Sequence, residues 1–188
     1  PQSEDAIAAR IMSAYRGQRI GLLAPLVVNR KGYYTDLAKW ARGKGYTHLR
    51  VDGEFLPTGR WPRLDRFREH SIELPVADLR VAPEDEPVLR DALARALEAG
   101  RGVVQVLSPL DRLADAYKAA ANAGRIEVDL DRAAFSTKRA CPACGRSFPE
   151  LDPRLFSFNS KPGWCAECYG TGLALAGWDE AQTGEEIW

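Results

Sequence analysis

Apolar residues in the first fourteen positions recur at helical spacing. Ile7, Ile11 and Ala14 share one face, and Ser3 stands where an N-cap hydroxyl accepts an orphan amide. The pattern predicts a helix over SEDAIAARIMSAY. RIGLLAPLVV (19–28) changes the period: a short continuous apolar run between polar residues reads as a buried strand. Asn29-Arg30-Lys31-Gly32 reads as a basic turn. Beyond it Tyr34, Leu37, Ala38 and Ala41 fall at i, i+3, i+4 and i+7, predicting a helix from about Thr35 to Arg42 that Gly43 or Gly45 ends. THLRVDGEFL reads as a hairpin, because Asp52-Gly53 between alternating apolar flanks suits a turn with positive φ at both central residues. PTGRWPRLDRFREH is a basic loop punctuated by Pro and Gly. SIELPVADLRV returns as a strand in which Pro75 predicts an edge position or a bulge.

The second half continues the alternation. Pro87 opens a helix whose Leu89, Leu93, Ala96 and Leu97 form one apolar face, closed by Gly100. RGVVQVL (101–107) reads as a strand, DRLADAYKAAANAG as a helix ending at Gly124, and RIEVDLD (125–131) as a final strand. The expected fold class is α+β: a mixed sheet with packed helices over residues 1–135, a small zinc module over 136–175, and a connector over 176–188. With 188 residues, 45% of them apolar, the chain can bury one core of ordinary size. Without an initiator methionine, and ending in GEEIW, it is expected to be part of a longer protein.

Charge changes the picture only locally. Lys+Arg and Asp+Glu both number 26. Yet Arg30 to Arg68 holds ten Lys/Arg against four Asp/Glu, and Glu73 to Glu98 holds three against seven. A basic surface facing an acidic partner or a phosphate backbone is one reading of that split. No apolar run reaches the roughly 18–20 residues of a membrane span, and PQSEDAIAAR lacks the basic and apolar regions of a secretory signal.

All four cysteines lie in CPACGRSFPELDPRLFSFNSKPGWCAEC, as two C-x-x-C pairs separated by twenty residues. In a signal-free chain this pattern points to a reducing, cytoplasmic setting and to metal rather than disulfides. Cys141, Cys144, Cys165 and Cys168 are the expected ligands of one Zn²⁺. Four thiolates fill the tetrahedron and leave no open position for water, so the expected role is structural. Lys138, Arg139, Arg146 or Lys161 are placed to offset the negative charge of such a centre. Phe156, Phe158 and Trp164 are among the large apolar residues between the pairs.

Catalytic motifs are missing from the sequence. There is neither a G-x-x-x-x-G-K-[ST] phosphate loop nor a G-x-G-x-x-G fingerprint, and His48 and His70 stand in no recognised metal or nucleophile pattern. Asp52 and Glu54, flanking Gly53, are expected to serve the turn. The chain by itself is expected not to be an enzyme.

Two sets of residues resemble the UvrA family, the damage-recognition ATPases of bacterial nucleotide excision repair. One is Cys141-Pro142-Ala143-Cys144-Gly145 with Glu150 to Ser160 (ELDPRLFSFNS) and Gly163-Trp164-Cys165-Ala166-Glu167-Cys168, similar to the family's zinc module. The other comprises Leu23-Ala24-Pro25, Arg30-Lys31-Gly32, Gly45-Tyr46, Arg50-Val51-Asp52-Gly53-Glu54 and His70-Ser71-Ile72-Glu73, similar to its UvrB-binding domain. The resemblance implies a dimeric ABC-type ATPase as the parent, with ATP bound outside this chain, DNA met through that parent, no membrane role, and UvrB as the partner docked here. The family carries a second basic residue before the Asp-Gly turn, where this chain has Thr47-His48-Leu49. It also ends the later strand in Asp-Arg, where this chain reads Pro75-Val76-Ala77-Asp78-Leu79-Arg80. Those basic positions grip acidic residues of UvrB in the family, which leaves Arg30, Lys31, Arg50 and Arg80 as docking candidates. The alternative is direct nucleic-acid binding through Arg60, Arg63 and Arg66, with Tyr33, Tyr34, Trp40 and Trp61 as stacking platforms.

Overall fold

The computed structural model describes residues 2–112, 130–141, 147–148, 151–158, 160, 163–165, 168 and 171–172. The chain divides into two compact units, Pro1–Phe148 and Pro149–Trp188. Residues 111–112 begin a helix as expected; the rest of the helix expected over 111–124, most of the strand expected over 125–131, Cys144 and the connector over 176–188 lie outside the described residues.

In the first unit a single six-stranded sheet is built from β1 (Arg19–Lys31), β2 (His48–Val51), β3 (Glu54–Pro57), β4 (Glu69–Arg80), β5 (Val103–Ser108) and β6 (Asp131–Ser136), in the order β3-β2-β4-β1-β5-β6. Every pairing is antiparallel, so the α+β class stands but the expected mixed sheet does not. Among the described links only β2 and β3 are paired neighbours joined directly, by a tight turn, whereas α2 and α3 carry the chain between strands that are not adjacent, β1 to β2 and β4 to β5.

Alternation along β1 explains why the sheet needs helices on one face. Ile20, Leu22 and Ala24 point into the main core, whereas Leu23 points into a smaller cluster with Leu107 and Leu110. The main core is closed by α1 (Glu4–Ala14), α2 (Thr35–Gly43) and α3 (Glu86–Ala99). They contribute Ile7, Ala8 and Ile11, then Ala38 and Ala41, then Leu89, Ala92, Leu93, Ala96 and Leu97. Ser3 caps α1 by accepting from the Ala6 amide at 3.1 Å, as its position in the sequence suggests. Truncating any of the wholly buried Leu or Ile side chains to Ala costs about 2–5 kcal/mol in cores of this kind.

Both prolines of the central strands sit at irregularities. Pro75 lies beside a register shift opposite Leu22/Leu23, and Pro25 beside one before Val27. A bulge lets a central strand lose a donor without leaving its neighbour's carbonyl unpaired within a regular ladder. β4 is therefore interior, flanked by β2 and β1, and the bulge alternative for Pro75 is the one realised.

The basic stretch Asn29-Arg30-Lys31 is not a turn. β1 runs through it, pairing Arg30 with His70 and Lys31 with Glu69, and the turn falls at Gly32. Asn29 adopts φ 48° there, and its amide donates to Ser71 Oγ at 3.1 Å. The apolar period failed here because the strand end is solvated on both faces.

The opposite sheet face carries an ion cluster. Glu73, almost wholly buried, accepts from Arg50 Nη1 at 2.8 Å and from Arg132 Nη1 at 3.1 Å. Phe55 of β3 packs against the Leu23–Leu107–Leu110 cluster. Strand β3 thus curls over the strands at the far side of the sheet. Gly21 serves the same packing, since a Cβ there would lie 3.3 Å from Leu110.

Beyond β6 an isolated antiparallel bridge still belongs to the first unit. Ala140 bridges Ser147, the Phe148 amide donates to Arg139 O at 2.8 Å, and Ser147 Oγ accepts from the Ser136 amide at 2.8 Å. In the second unit a 3-10 turn, Pro153–Phe156, is capped by Asp152, whose carboxylate accepts from the Arg154 amide and pairs with its guanidinium.

Candidate recognition surface

One end of the sheet gathers the residues with most chemistry. The C-terminal end of β1, the first residues of β4, the β2–β3 turn and the loop 60–68 converge there. Asp52 and Gly53 make the turn with φ 50° and 96°, as Asp-Gly in that setting predicts. The Asp52 carboxylate then bridges to β4, accepting from the Ser71 amide at 2.8 Å and from His70 Nδ1 at 2.7 Å. His70 Nε2 donates to Asp65 O at 2.8 Å. Buried between the Asp52 carboxylate and the Asp65 carbonyl, the His70 ring ties the loop to the turn. This is a positioning role, and Asp52 is the turn residue expected of it.

Tyr34 and Gly32 shape the next layer. Tyr34 precedes α2 with φ 55°, and its ring folds back so that the hydroxyl donates to Arg30 O at 2.8 Å and Lys31 O at 3.1 Å. A Cβ on Gly32, which has φ 155°, would lie 3.1 Å from that ring, so glycine is required. Burial raises the Tyr34 pKa above its ordinary value despite the nearby Arg30, keeping the phenol a donor. Tyr34 also meets His70 edge-on, with centroids 6.5 Å apart.

Over this base the loop 60–68 lays a ladder of alternating cations and rings. Trp61 Nε1 donates to Tyr33 O at 3.1 Å and fixes the loop's start. The Arg63 guanidinium lies 5.4 Å from the Tyr33 ring centroid and donates to its hydroxyl at 3.3 Å. Arg66 lies 6.0 Å from Tyr33 and 4.5 Å from Phe67. The order is Arg63, Tyr33, Arg66, Phe67, and Phe67 is 68% exposed. A shallow cleft lined by Tyr33, Thr35, Trp61, Pro62 and Arg63 adjoins it.

The sequence-predicted residues fall in three places. Arg30 and Lys31 stand at this end, exposed, opposite His70 and Glu69 of β4. Arg80 is near the other end of β1, since Arg19 pairs with Arg80 and Lys31 with Glu69; it donates to Gly17 O and approaches Asp111. Twelve residues of strand separate those ends, about 40 Å at the usual rise. Arg50 is on the ion-cluster face with its guanidinium engaged by Glu73. The four docking candidates therefore form no common patch, whereas Arg63 and Arg66 do, with Arg60 at the head of their loop. Of the aromatic residues, Tyr33 enters the ladder and Trp40 is exposed on α2, but Tyr34 faces inward and Trp61 is half-buried. Phe67 was missed by sequence reasoning; its position between Arg66 and Arg68 in an exposed loop was the available signal. His48 is exposed on β2.

Of the cysteines, Cys141, Cys165 and Cys168 are described, none in a disulfide. Cys141 directly follows Ala140, which bridges Ser147. Cys168 heads a tight turn in which its carbonyl accepts from the Thr171 amide at 2.8 Å and hydroxyl at 2.6 Å. Among the described residues no three His, Cys, Asp or Glu side chains are grouped to hold a metal. No described helix is long and apolar enough to cross a membrane.

Fold and surface together define an α+β domain with a cationic–aromatic patch at one end of an antiparallel sheet. Residues 2–109 match the family described as the UvrA interaction domain. The chain is also similar to UvrABC system protein A of Staphylococcus aureus, 36% identical over 174 residues, covering 93% of this chain and 16% of the relative. With the Aquifex aeolicus protein of that name it shares 34% identity over 171 residues (91% and 16%), and with that of Pseudomonas aeruginosa 30% over 172 residues (92% and 17%). The chain belongs to the UvrA family. It spans about a sixth of the length of these relatives.

Proposed function

We propose that this chain is the partner-docking domain and zinc module of a UvrA-type protein of nucleotide excision repair, and that the partner is UvrB-like and acidic. The observation that carries the reading is the match to the UvrA interaction domain over residues 2–109, which build α1, α2, α3 and β1 to β5. The exposed cations Arg30 and Lys31 at the end of β1 support an electrostatic grip, and Arg80 supplies a second, separate contact. Arg50 acts indirectly, by holding the sheet face. ATP binding and hydrolysis, DNA scanning and dimerisation belong to the rest of such a protein, and this chain's own role is binding rather than catalysis. It works in the cytoplasm.

Cys141, Cys144, Cys165 and Cys168 hold one structural Zn²⁺ in this reading. The donor set is four thiolates, chemistry suited to that ion, and the two pairs adjoin the Ala140–Ser147 bridge at Cys141 and a tight turn at Cys168. Bound zinc supplies cross-linking free energy to a segment with few buried apolar groups.

Titration of the chain with purified UvrB at about 50 and 200 mM salt tests the docking. Affinity should fall at least severalfold with salt, and Arg30→Glu/Lys31→Glu should weaken it at low salt. Absence of binding at low salt removes UvrB as partner.

A further inference from the structure

We infer that the Arg63–Tyr33–Arg66–Phe67 ladder is a binding site for single-stranded nucleic acid, separate from the docking role proposed above. Two independent features lead there.

The first is an imbalance in ion pairing. Arg19, Arg50, Arg80, Arg90, Arg95 and Arg132 each face a carboxylate. Arg60, Arg63, Arg66 and Arg68, crowded into one exposed loop, face none among the described residues. Asp65, the acid within that loop, has its carboxylate turned to the Phe67 amide at 2.9 Å and its carbonyl to His70. Four like charges held together without counter-charge repel one another, and a polyanion relieves that repulsion.

The second is the interleaving of rings. A guanidinium carries five N–H donors, so Arg66 over Phe67, and Arg63 over Tyr33 with one N–H on its hydroxyl, each keep donors for phosphate oxygens without leaving the rings. Phe67 ends the ladder, more than two-thirds exposed. A base is a π-face that suits it, whereas an acidic peptide satisfies the cations and leaves the ring in water. The loop is also braced before any ligand arrives, by Trp61 on Tyr33 O and by His70 on Asp65 O, so little ordering is left for binding to do. The spacing of bases along an unpaired strand suits such a row of platforms. Duplex DNA hides its π-faces and is the poorer ligand.

The test is fluorescence anisotropy with the full chain, a labelled dT oligonucleotide of about fifteen residues, the matching duplex, and a polyglutamate peptide of equal charge. The single strand should bind best, with a log–log salt slope of about −2 for three phosphates at roughly 0.7 each. Phe67→Ala should raise Kd about tenfold, the range of one stacked base. Arg60→Ala/Arg63→Ala/Arg66→Ala should abolish binding and flatten the slope. Arg63→Lys/Arg66→Lys keeps the charge but not the planar stacking, and should still cost severalfold. All these side chains are exposed, and circular dichroism with a thermal melt verifies that each variant is folded. The inference is overturned if polyglutamate or duplex binds as well as the single strand, if Phe67→Ala is silent, or if no oligonucleotide binds at low salt. UvrB affinity, measured on the same variants, reports the docking role separately: loss of oligonucleotide binding with UvrB affinity retained distinguishes the two.

Discussion

Arg50 shows how one residue can look like a contact and act as a brace. In the sequence it is a basic residue beside an Asp-Gly turn, a natural candidate for gripping an acidic partner. In the fold its side chain is only 14% exposed and bound to Glu73, which is 4% exposed, while Arg132 reaches the same carboxylate from β6. Removing Arg50 strands a buried negative charge with one partly exposed partner. Arg50→Ala should therefore lower stability by about 3 kcal/mol, and Arg50→Ala/Glu73→Leu should recover most of it. Chemical denaturation of the two variants checks this, alongside UvrB affinity at a temperature where both are folded. An affinity loss in the folded single variant, with stability unchanged, would return Arg50 to the docking surface. The basic character of Arg50 was legible from the sequence; its burial was not, because it depends on β6 delivering Arg132 from more than eighty positions away.

At the scale of elements, legibility follows the locality of the cause. The Ser3 cap, the Asp52-Gly53 turn, the Pro87 helix start and the bulge at Pro75 are fixed by dihedral preference and hydrogen bonding within a few residues, and each appears where the pattern puts it. Strand β6, DRAAFS, was not foreseen. Its alternation is weak, with two exposed residues at its start, and it exists because β5 offers an edge from Val103 to Ser108. The extension of β1 through Arg30 and Lys31 has the same origin, an available partner in β4. In the second unit the controlling feature is a close approach of backbone. Gly163 packs so tightly that a Cβ would collide with Arg154 O, Ser157 O and the carbon of Leu155, while its amide donates to Ser160 O at 2.9 Å. Gly163→Ala should thus disrupt the 153–164 turn by about 2 kcal/mol or more, with the sheet unaffected. Amide hydrogen exchange resolved by segment checks it: faster exchange at Leu155, Ser157 and Trp164, unchanged protection in β1 and β4. Normal protection at those three amides would show that the turn yields easily and that the glycine is dispensable.

For the whole molecule the question is what stabilises the second unit. The first unit has a continuous apolar core, drawn among the described residues from three helices and the sheet. The second has no comparable apolar core among its described residues. Leu151, Phe156 and Phe158 are 71%, 79% and 67% exposed, and the local bonds are those of turns. Burial of that order offsets only a small part of the roughly 1–2 kcal/mol of backbone entropy lost per ordered residue. The tetrathiolate zinc of the proposed reading would supply what the side chains do not, since binding free energy becomes folding free energy in a module of this size. Purified from zinc-containing medium, the chain should hold one equivalent of metal by atomic emission. Cys165→Ser should lower that to below about a tenth and make residues 141–172 rapidly cleavable by protease, while the thermal transition of the sheet moves by no more than a few degrees. A strong chelator should reproduce the effect on the native chain, and readdition of Zn²⁺ should reverse it. Thiolate-to-metal charge transfer after Co²⁺ substitution, with an intensity that scales with the number of sulfur ligands, reports whether four cysteines are engaged. A metal-free chain whose C-terminal segment resists protease would mean that apolar packing outside the described residues orders this region, and that the paired cysteines serve another end.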